Sequence, residues 1–213
     1  LFSSLAKALP GLVLMIDFLQ QDESAMTKTQ IATMTTSDYI TTGRLDVPTN
    51  YDVFFAGLGK NMRQNYNKVI NRSKKNNIEL QAKLITQAAD IEHAINVFGE
   101  FESTGWKGAQ GTAVNLSNAQ GQFYLNLLQD YAKSDNAEVW YYLADGIIVA
   151  ADLCIKSAST IVILKTAYNE EYKKLSPALQ LKFEIFKHHA QNPESSRLTT
   201  IEFFGKAMEW HKR

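Results

Sequence analysis

Between Ala137 and Gln191 three strand-like runs follow one another through tight turns, and the last runs on into a helix; no other stretch restricts the possible folds as much. Val139, Tyr141 and Leu143 alternate with Glu138, Trp140 and Tyr142, the period of two that marks a half-buried strand. Asp145-Gly146 supplies the two positive-φ positions of a type I′ turn, so the first two runs form a hairpin. Ile147–Ile155 and Thr160–Ala167, joined at Ser157-Ala158-Ser159, are nearly continuous apolar runs rich in Ile and Val. Strands of that kind are covered on both faces, as in the middle of an α/β sheet.

Two charges interrupt these runs, Asp152 and Lys165. A turn at Ser157-Ala158 sets Asp152 opposite Ile163, and a turn at Ala158-Ser159 sets it opposite Lys165. Either register puts both charges on one face, because paired residues share a face. A three-residue turn with a bulge breaks this expectation. The pair reads as a self-neutralising buried ion pair, or as a polar spot in an apolar cleft that serves a reaction.

The helix after the third strand has Ser176 at the N-cap and Pro177 at the first helical position, a well-formed start. Leu179, Phe183, Phe186 and Ala190 recur at three and four, which gives one broad buried face. A helix N-terminus at the end of a central strand offers free N–H groups to an anion. Lys173 and Lys174 lie just upstream, either as phosphate partners or as solvated loop lysines.

At this point the run from Ile163 to Leu179, with Lys165, Ala167-Tyr168 and Ser176-Pro177-Ala178, resembles the K-x-A-Y-D-E … S-P-G-x-x-L segment of CelD/BcsL-like acyltransferases. These are GNAT-type domains associated with bacterial polysaccharide or cellulose biosynthesis, and more distantly similar to the FemABX aminoacyl transferases. Glu102-Ser103-Thr104-Gly105-Trp106-Lys107-Gly108, followed by Gly111-Thr112-Ala113, resembles the family's E-x-S-W-K-G … G-T-A block. Ile201–Gly205 and Trp210-His211-Lys212-Arg213 resemble its last strand and the segment after it. Asn169 stands for the usual Asp and Ala178 for the Gly, and a residue as small as Ala still permits close backbone approach.

The resemblance implies an α/β fold: a GNAT-like mixed sheet flanked by helices, over residues 50–213, with residues 1–49 the tail of a preceding GNAT-like half. In such a fold the acyl carrier lies in a gap splayed between the strand ending at Tyr168 and the final strand at Glu202, its diphosphate at the helix near Ser176. The implied cofactor-binding residues are Lys173, Lys174, Leu175, Ser176 and Ala178, and the co-substrate is acyl-CoA. Transfer to an amine or hydroxyl needs a base, donors for the carbonyl oxygen and an acid for the leaving thiolate. Glu102 and Glu202 are the base candidates and Tyr168 the acid. Lys165 and Lys107 would hold an anionic substrate, Trp106 a wall of the site, and Asp152 is a further substrate-binding group. A non-catalytic scaffold module and an aminoacyl-tRNA-dependent transferase are the alternatives.

The rest of the chain sets bounds. Phe54, Phe55, Leu58, Met62, Tyr66, Val69 and Ile70 mark the buried face of a long helix over Asn50–Lys75, with Lys60, Arg63, Lys68, Arg72, Lys74 and Lys75 on its outer face and at its end. This basic helix, carried to residue 77, is expected to pack between the two parts. Its cations read as a solvated face or as a docking surface for an anionic substrate. Strands are expected at Gly11–Phe18, Asp38–Leu45, Ile78–Ile85 and Thr199–Phe204, and helices at Ala88–Phe101 and Gln120–Ala132. With 22 basic and 22 acidic residues no global field points to nucleic acid, so sequence-specific nucleic-acid binding is not expected and the partner is a small or sugar-linked acceptor. The four histidines lack metal-ligand spacing, so no metal is expected. The single cysteine, Cys154, reads as a buried small hydrophobe and fits a reducing, cytoplasmic setting. No run approaches a membrane span. Leu1–Leu19 is no signal peptide, since Pro10-Gly11 and Asp17 break it, and the chain reads as a fragment of a longer protein.

Overall fold

In the computed structural model the chain falls into two compact units, residues 1–41 and 42–213. The structure describes residues 4, 7–11, 15, 35, 40–47, 49–104, 113–157, 159–192 and 198–206. The strand expected at Gly11–Phe18 therefore lies outside the described residues, apart from Gly11 and Met15.

The second unit is built on a sheet of six strands: β1 (Gly43–Asp46), β2 (Leu80–Ile85), β3 (Ala137–Ala144), β4 (Ile147–Ser157), β5 (Thr160–Tyr168) and β6 (Thr200–Phe203). Their spatial order is β1-β6-β5-β4-β3-β2. All neighbours are antiparallel except β5 and β6, which run parallel. The Asp145-Gly146 turn is as expected, with φ of 51° and 77°. Among the described residues the strand expected at Asp38–Leu45 is Gly43–Asp46, and it is the sheet's edge, paired with β6.

Helices cover both faces. The long helix expected over Asn50–Lys75 is two, α1 (Tyr51–Gly57) and α2 (Lys60–Lys75). Gly57 and Gly59 flank the break, and glycine weakens a helix interior. Leu58 is extended there (ψ 151°), while Asn50 caps α1 by accepting the Val53 N–H at 3.1 Å. On the same face α5 (Pro177–Gln191) lies between the sheet and these two helices. Phe183 meets Phe55 and Tyr66 edge-on, and Phe186 meets Phe54 and the sheet residue Phe203. With partners on both sides, α5 buries more than the single expected face: Leu181 and Ile185 are fully enclosed as well.

The opposite face carries α3 (Ala88–Thr104) and α4 (Ala119–Ala132). Ile91, Ile95 and Phe98 recur at four and three and are fully buried against Val139, Ala151 and Leu153. Asn118 caps α4 by accepting the Gly121 N–H at 2.8 Å. The two cores share only the sheet, so the side on which a β5 side chain emerges decides which chemistry it meets.

Candidate active site

β5 and β6 are paired over only half of β5. Their register runs from Thr160–Thr200 to Ile163–Phe203, and the last bond is Phe204 N–H to the Ile163 carbonyl at 2.9 Å. Leu164–Tyr168 continue as strand on β4, yet on the β6 side the described residues offer them no strand partner. β6 ends at Phe203 with all four of its residues paired, so beyond Ile163 that edge of β5 is open among the described residues.

A bulge sits where that edge opens. Leu153 pairs with Lys165 but Cys154 with Ile163, so Leu164 is the extra residue. The Ser157–Thr160 closure is the turn that, unbulged, sets Asp152 opposite Lys165. With the bulge, Asp152 instead faces Thr166, and Lys165 turns to the other side. The expectation that Asp152 and Lys165 share a face is therefore wrong, because one inserted residue reverses every later side chain.

Each charge has found another partner. On the α5 side Lys182 makes a short ion pair with Asp152, which is fully buried, and its ammonium also donates to Thr166 Oγ1 at 2.8 Å. On the α3/α4 side Lys165 binds Glu102 at 3.0 Å and lies 5.5 Å from the Tyr124 ring centre. Glu102 also accepts the Val114 N–H at 2.9 Å. Burial, with the Glu102 charge beside it, pushes the Tyr124 hydroxyl pKa up.

Thr166 and Lys182 form the floor of a cleft of about 830 Å³, walled by Lys60, Asn61 and Asn65 at the start of α2 and by Ala178 at the start of α5. No carboxylate is among the described residues that line it. Ser176 occupies the N-cap position of α5 in a left-handed conformation (φ 46°, ψ 49°), and its hydroxyl makes no capping bond. Asn169 does the capping one turn earlier, accepting the Glu171 N–H at 2.9 Å to start a 3₁₀ turn over Glu170–Leu175. In the first turn of α5 Pro177 has no N–H and those of Leu179 and Gln180 donate to the Ser176 carbonyl at 3.0 Å, which leaves the Ala178 N–H at the cleft wall.

The expected site residues divide by face. Ser176 and Ala178 are at the α5 tip, with Ala178 in the cleft wall, and Tyr168 is exposed at the end of β5 on the same face as Thr166. Glu202 pairs with Arg44 and Val162 and is half-buried on the other face, the one that carries Glu102 and Lys165. Three of the expected cofactor residues lie away from the larger cleft. Leu175 is buried in the core and borders a smaller pocket rather than the larger cleft. Lys174 lines the same smaller pocket, of about 270 Å³, with Arg72, whose guanidinium donates to the Lys174 carbonyl at 3.4 Å. Lys173 is exposed and is not among the residues around the larger cleft. Trp106 and Lys107 lie outside the described residues.

Lys182 and Thr166 were not singled out by sequence. A signal for Lys182 exists: it stands at three from Leu179 and four from Phe186, inside the helix's apolar stripe, where a lysine is kept only with a partner. Nothing marks Thr166, which depends on the bulge. A second buried carboxylate, Glu138, is held by Lys156 (3.0 Å), His189 (3.1 Å) and Trp140 (2.8 Å). Burial pushes its pKa up, but the His189 bond and charge, Lys156 and Trp140 outweigh it and bring it down to about 2. Cys154, fully buried beside Asp152, has its thiol pushed well above its usual value and is not a nucleophile. No group of three or more potential ligands suited to a metal ion occurs among the described residues, and none of their helices is long and apolar enough to cross a membrane.

The family model for the acetyltransferase (GNAT) domain matches residues 60–212. The chain belongs to this GNAT family. Among solved structures, the GNAT domain is similar to FemX, with a TM-score of 0.57 at 9% identity, covering 78% of the chain and 52% of FemX. It is similar also to a conserved protein of unknown function from Bacteroides thetaiotaomicron VPI-5482, with a TM-score of 0.50 at 13% identity, covering 81% of the chain and 55% of that structure. At these identities the likeness is one of fold, and the chain spans about half the length of both structures. No curated protein matches the chain by sequence.

Proposed function

We propose that this GNAT domain transfers an acyl group from acyl-CoA to an amine or hydroxyl of a small or sugar-linked acceptor, of the kind used in bacterial polysaccharide assembly. The observation that carries the reading is the open edge of β5, beside a large cleft at an uncapped helix tip. A cleft walled by Lys60, two asparagines and a helix N-terminus, with no described carboxylate, fits the diphosphate of such a carrier. The thioester supplies an activated carbonyl carbon. The acceptor's N–H or O–H attacks it, the C–S bond breaks, and the sulfur leaves with a proton as free CoA.

The two faces of the sheet suit the two substrates. Donor groups lie on the α5 side: Ala178 and Ser176 at the tip, Thr166 on the floor, and Tyr168 as the acid toward the departing sulfur. The acceptor approaches from the α3/α4 side, where Glu202 serves as the base. Lys165 is held by Glu102 there, so Glu102 orients the lysine and does not itself take the proton. Residues 1–41 are, in this reading, the end of a preceding GNAT-like half, since Gly43–Asp46 is the edge strand of the second unit's sheet.

The fold likeness to FemX favours a second reading, aminoacyl-tRNA as the donor. Calorimetry with acetyl-CoA and longer acyl-CoAs separates the two. Acetyl-CoA binding that weakens at least tenfold in Lys60→Glu and is kept in Lys174→Glu supports the acyl-CoA reading. Binding of no acyl-CoA by the unaltered chain overturns it.

A further inference from the structure

We propose that Thr166 is a catalytic hydrogen-bond donor to the carbonyl oxygen of the acyl donor, and that Lys182 is the residue that positions it. The proposal rests on the acyl-CoA reading above and deepens it.

A lysine ammonium has three N–H donors and no acceptor, so in the 2.8 Å contact Thr166 Oγ1 can only accept. The hydroxyl hydrogen is thereby turned away from Lys182. Thr166 lines the cleft, so an occupant of the cleft can accept that hydrogen. Lys182 cannot wander, because its ammonium is clamped by the fully buried Asp152, the residue directly across the ladder from Thr166. A donor whose direction is set before the ligand arrives costs no reorganisation when negative charge develops on an oxygen in front of it.

The placement follows from the bulge. The pairing with β6 ends at Ile163, just before Leu164, and that inserted residue moves Thr166 onto the face of Asp152 and α5. The irregularity in β5 therefore sits where its edge opens and puts a hydroxyl on the cleft side. No proton leaves Thr166: charge on the carbonyl oxygen strengthens an existing hydrogen bond, and the bond weakens again as the C–S bond breaks.

The test uses acetyl-CoA and free CoA as probes on the full chain. Free CoA has no carbonyl, so it reports the integrity of the cleft, and Thr166→Val keeps the side chain's shape. Calorimetry is expected to show acetyl-CoA weakened in Thr166→Val by on the order of 5-fold, one neutral hydrogen bond, with free CoA unchanged. The infrared carbonyl band of bound ¹³C-acetyl-CoA is expected at lower frequency in the unaltered chain and in Thr166→Ser, and to return toward its solution position in Thr166→Val. The double variant Lys182→Met/Asp152→Asn removes both buried charges together; it retains the hydroxyl but not its orientation, and the band is expected to broaden and move back. Should that variant fail to fold, the Val and Ser comparison decides alone. An unmoved band in Thr166→Val, or equal weakening of acetyl-CoA and CoA, overturns the proposal while leaving the acyl-CoA reading in place. Failure of the unaltered chain to bind either probe overturns both.

Discussion

Lys182→Met is the most informative single perturbation of this domain's stability. The lysine side chain is 4% exposed and that of Asp152 is 0%, so removing the ammonium strands a carboxylate out of reach of water. One oxygen of Asp152 already lacks a hydrogen-bond partner among the described residues, and the substitution takes the partner of the other. Breaking a buried pair on one side in this way costs about 3–5 kcal/mol, whereas replacing both members with well-packed neutral groups is often close to neutral. At roughly 2–4 °C of melting temperature per kcal/mol for a domain of this size, Lys182→Met is expected to lower the midpoint by about 6–20 °C. Adding Asp152→Asn should recover most of the loss, since it removes the stranded charge. Thermal and urea unfolding of both single variants and the double variant closes the cycle. A Lys182→Met cost below about 1 kcal/mol would falsify the picture of a desolvated pair. So would a double variant whose loss is the sum of the two singles.

Two other features give predictions of known sign. Glu138 is held at about 2 against an ordinary 4.5, because His189, Lys156 and Trp140 together outweigh the burial that opposes them. A depressed carboxyl stabilises the fold above its unfolded pKa, so this contribution, about 3 kcal/mol, is present above pH 4.5 and lost as the pH falls toward 2; acid unfolding of Glu138→Gln should show a shallower pH dependence over that window, and an identical one would refute the assignment. A Cβ on Gly121 would overlap the Asn115 carbonyl, and one on Gly99 the Val114 carbonyl, so the segment that returns to α4 is packed onto bare backbone. Gly121→Ala is expected to cost more than about 2 kcal/mol in urea unfolding, while Gly57→Ala, which meets open space at the end of α1, should be neutral or slightly stabilising.

The architecture was legible wherever one local rule decides. The Asp145-Gly146 hairpin, the doubly covered runs of β4 and β5 and the stripe Ile91-Ala94-Ile95-Phe98 all follow from period and turn chemistry. The long helix failed at Leu58, where Gly57 and Gly59 outweigh an apolar spacing that continues across them. The residues of the resemblance led to the open edge of β5 and the α5 tip, but their neighbourhood had to come from three dimensions. Lys174 and Leu175 stand two and one residues from Ser176 in the chain, yet after the 3₁₀ turn both line a separate pocket, with Leu175 packed into the core as well.

Leu164 is where local legibility ends, and it is also where the chemistry is decided. β4 and β5 read by alternation alone give one buried Asp–Lys pair and two inert strands. One inserted residue converts this into two ion pairs on opposite faces, Lys182–Asp152 and Lys165–Glu102, beside the open edge of β5. Neither lysine is left without a carboxylate, so the domain can hold positive charge on both faces of the sheet without stranding it in the core. A side-chain pattern cannot announce such a bulge, because it depends on the mismatch between β4, paired on both edges, and β5, which β6 accompanies only halfway. In the proposed transfer, a donor on the α5 side and an acceptor on the α3/α4 side would reach one carbonyl from opposite faces. Deleting Leu164, the extra residue, leaves Lys165 opposite Leu153 and Thr166 opposite Asp152 in a regular ladder, so both ion pairs should survive and the urea midpoint should change little; loss of either pair would refute the register.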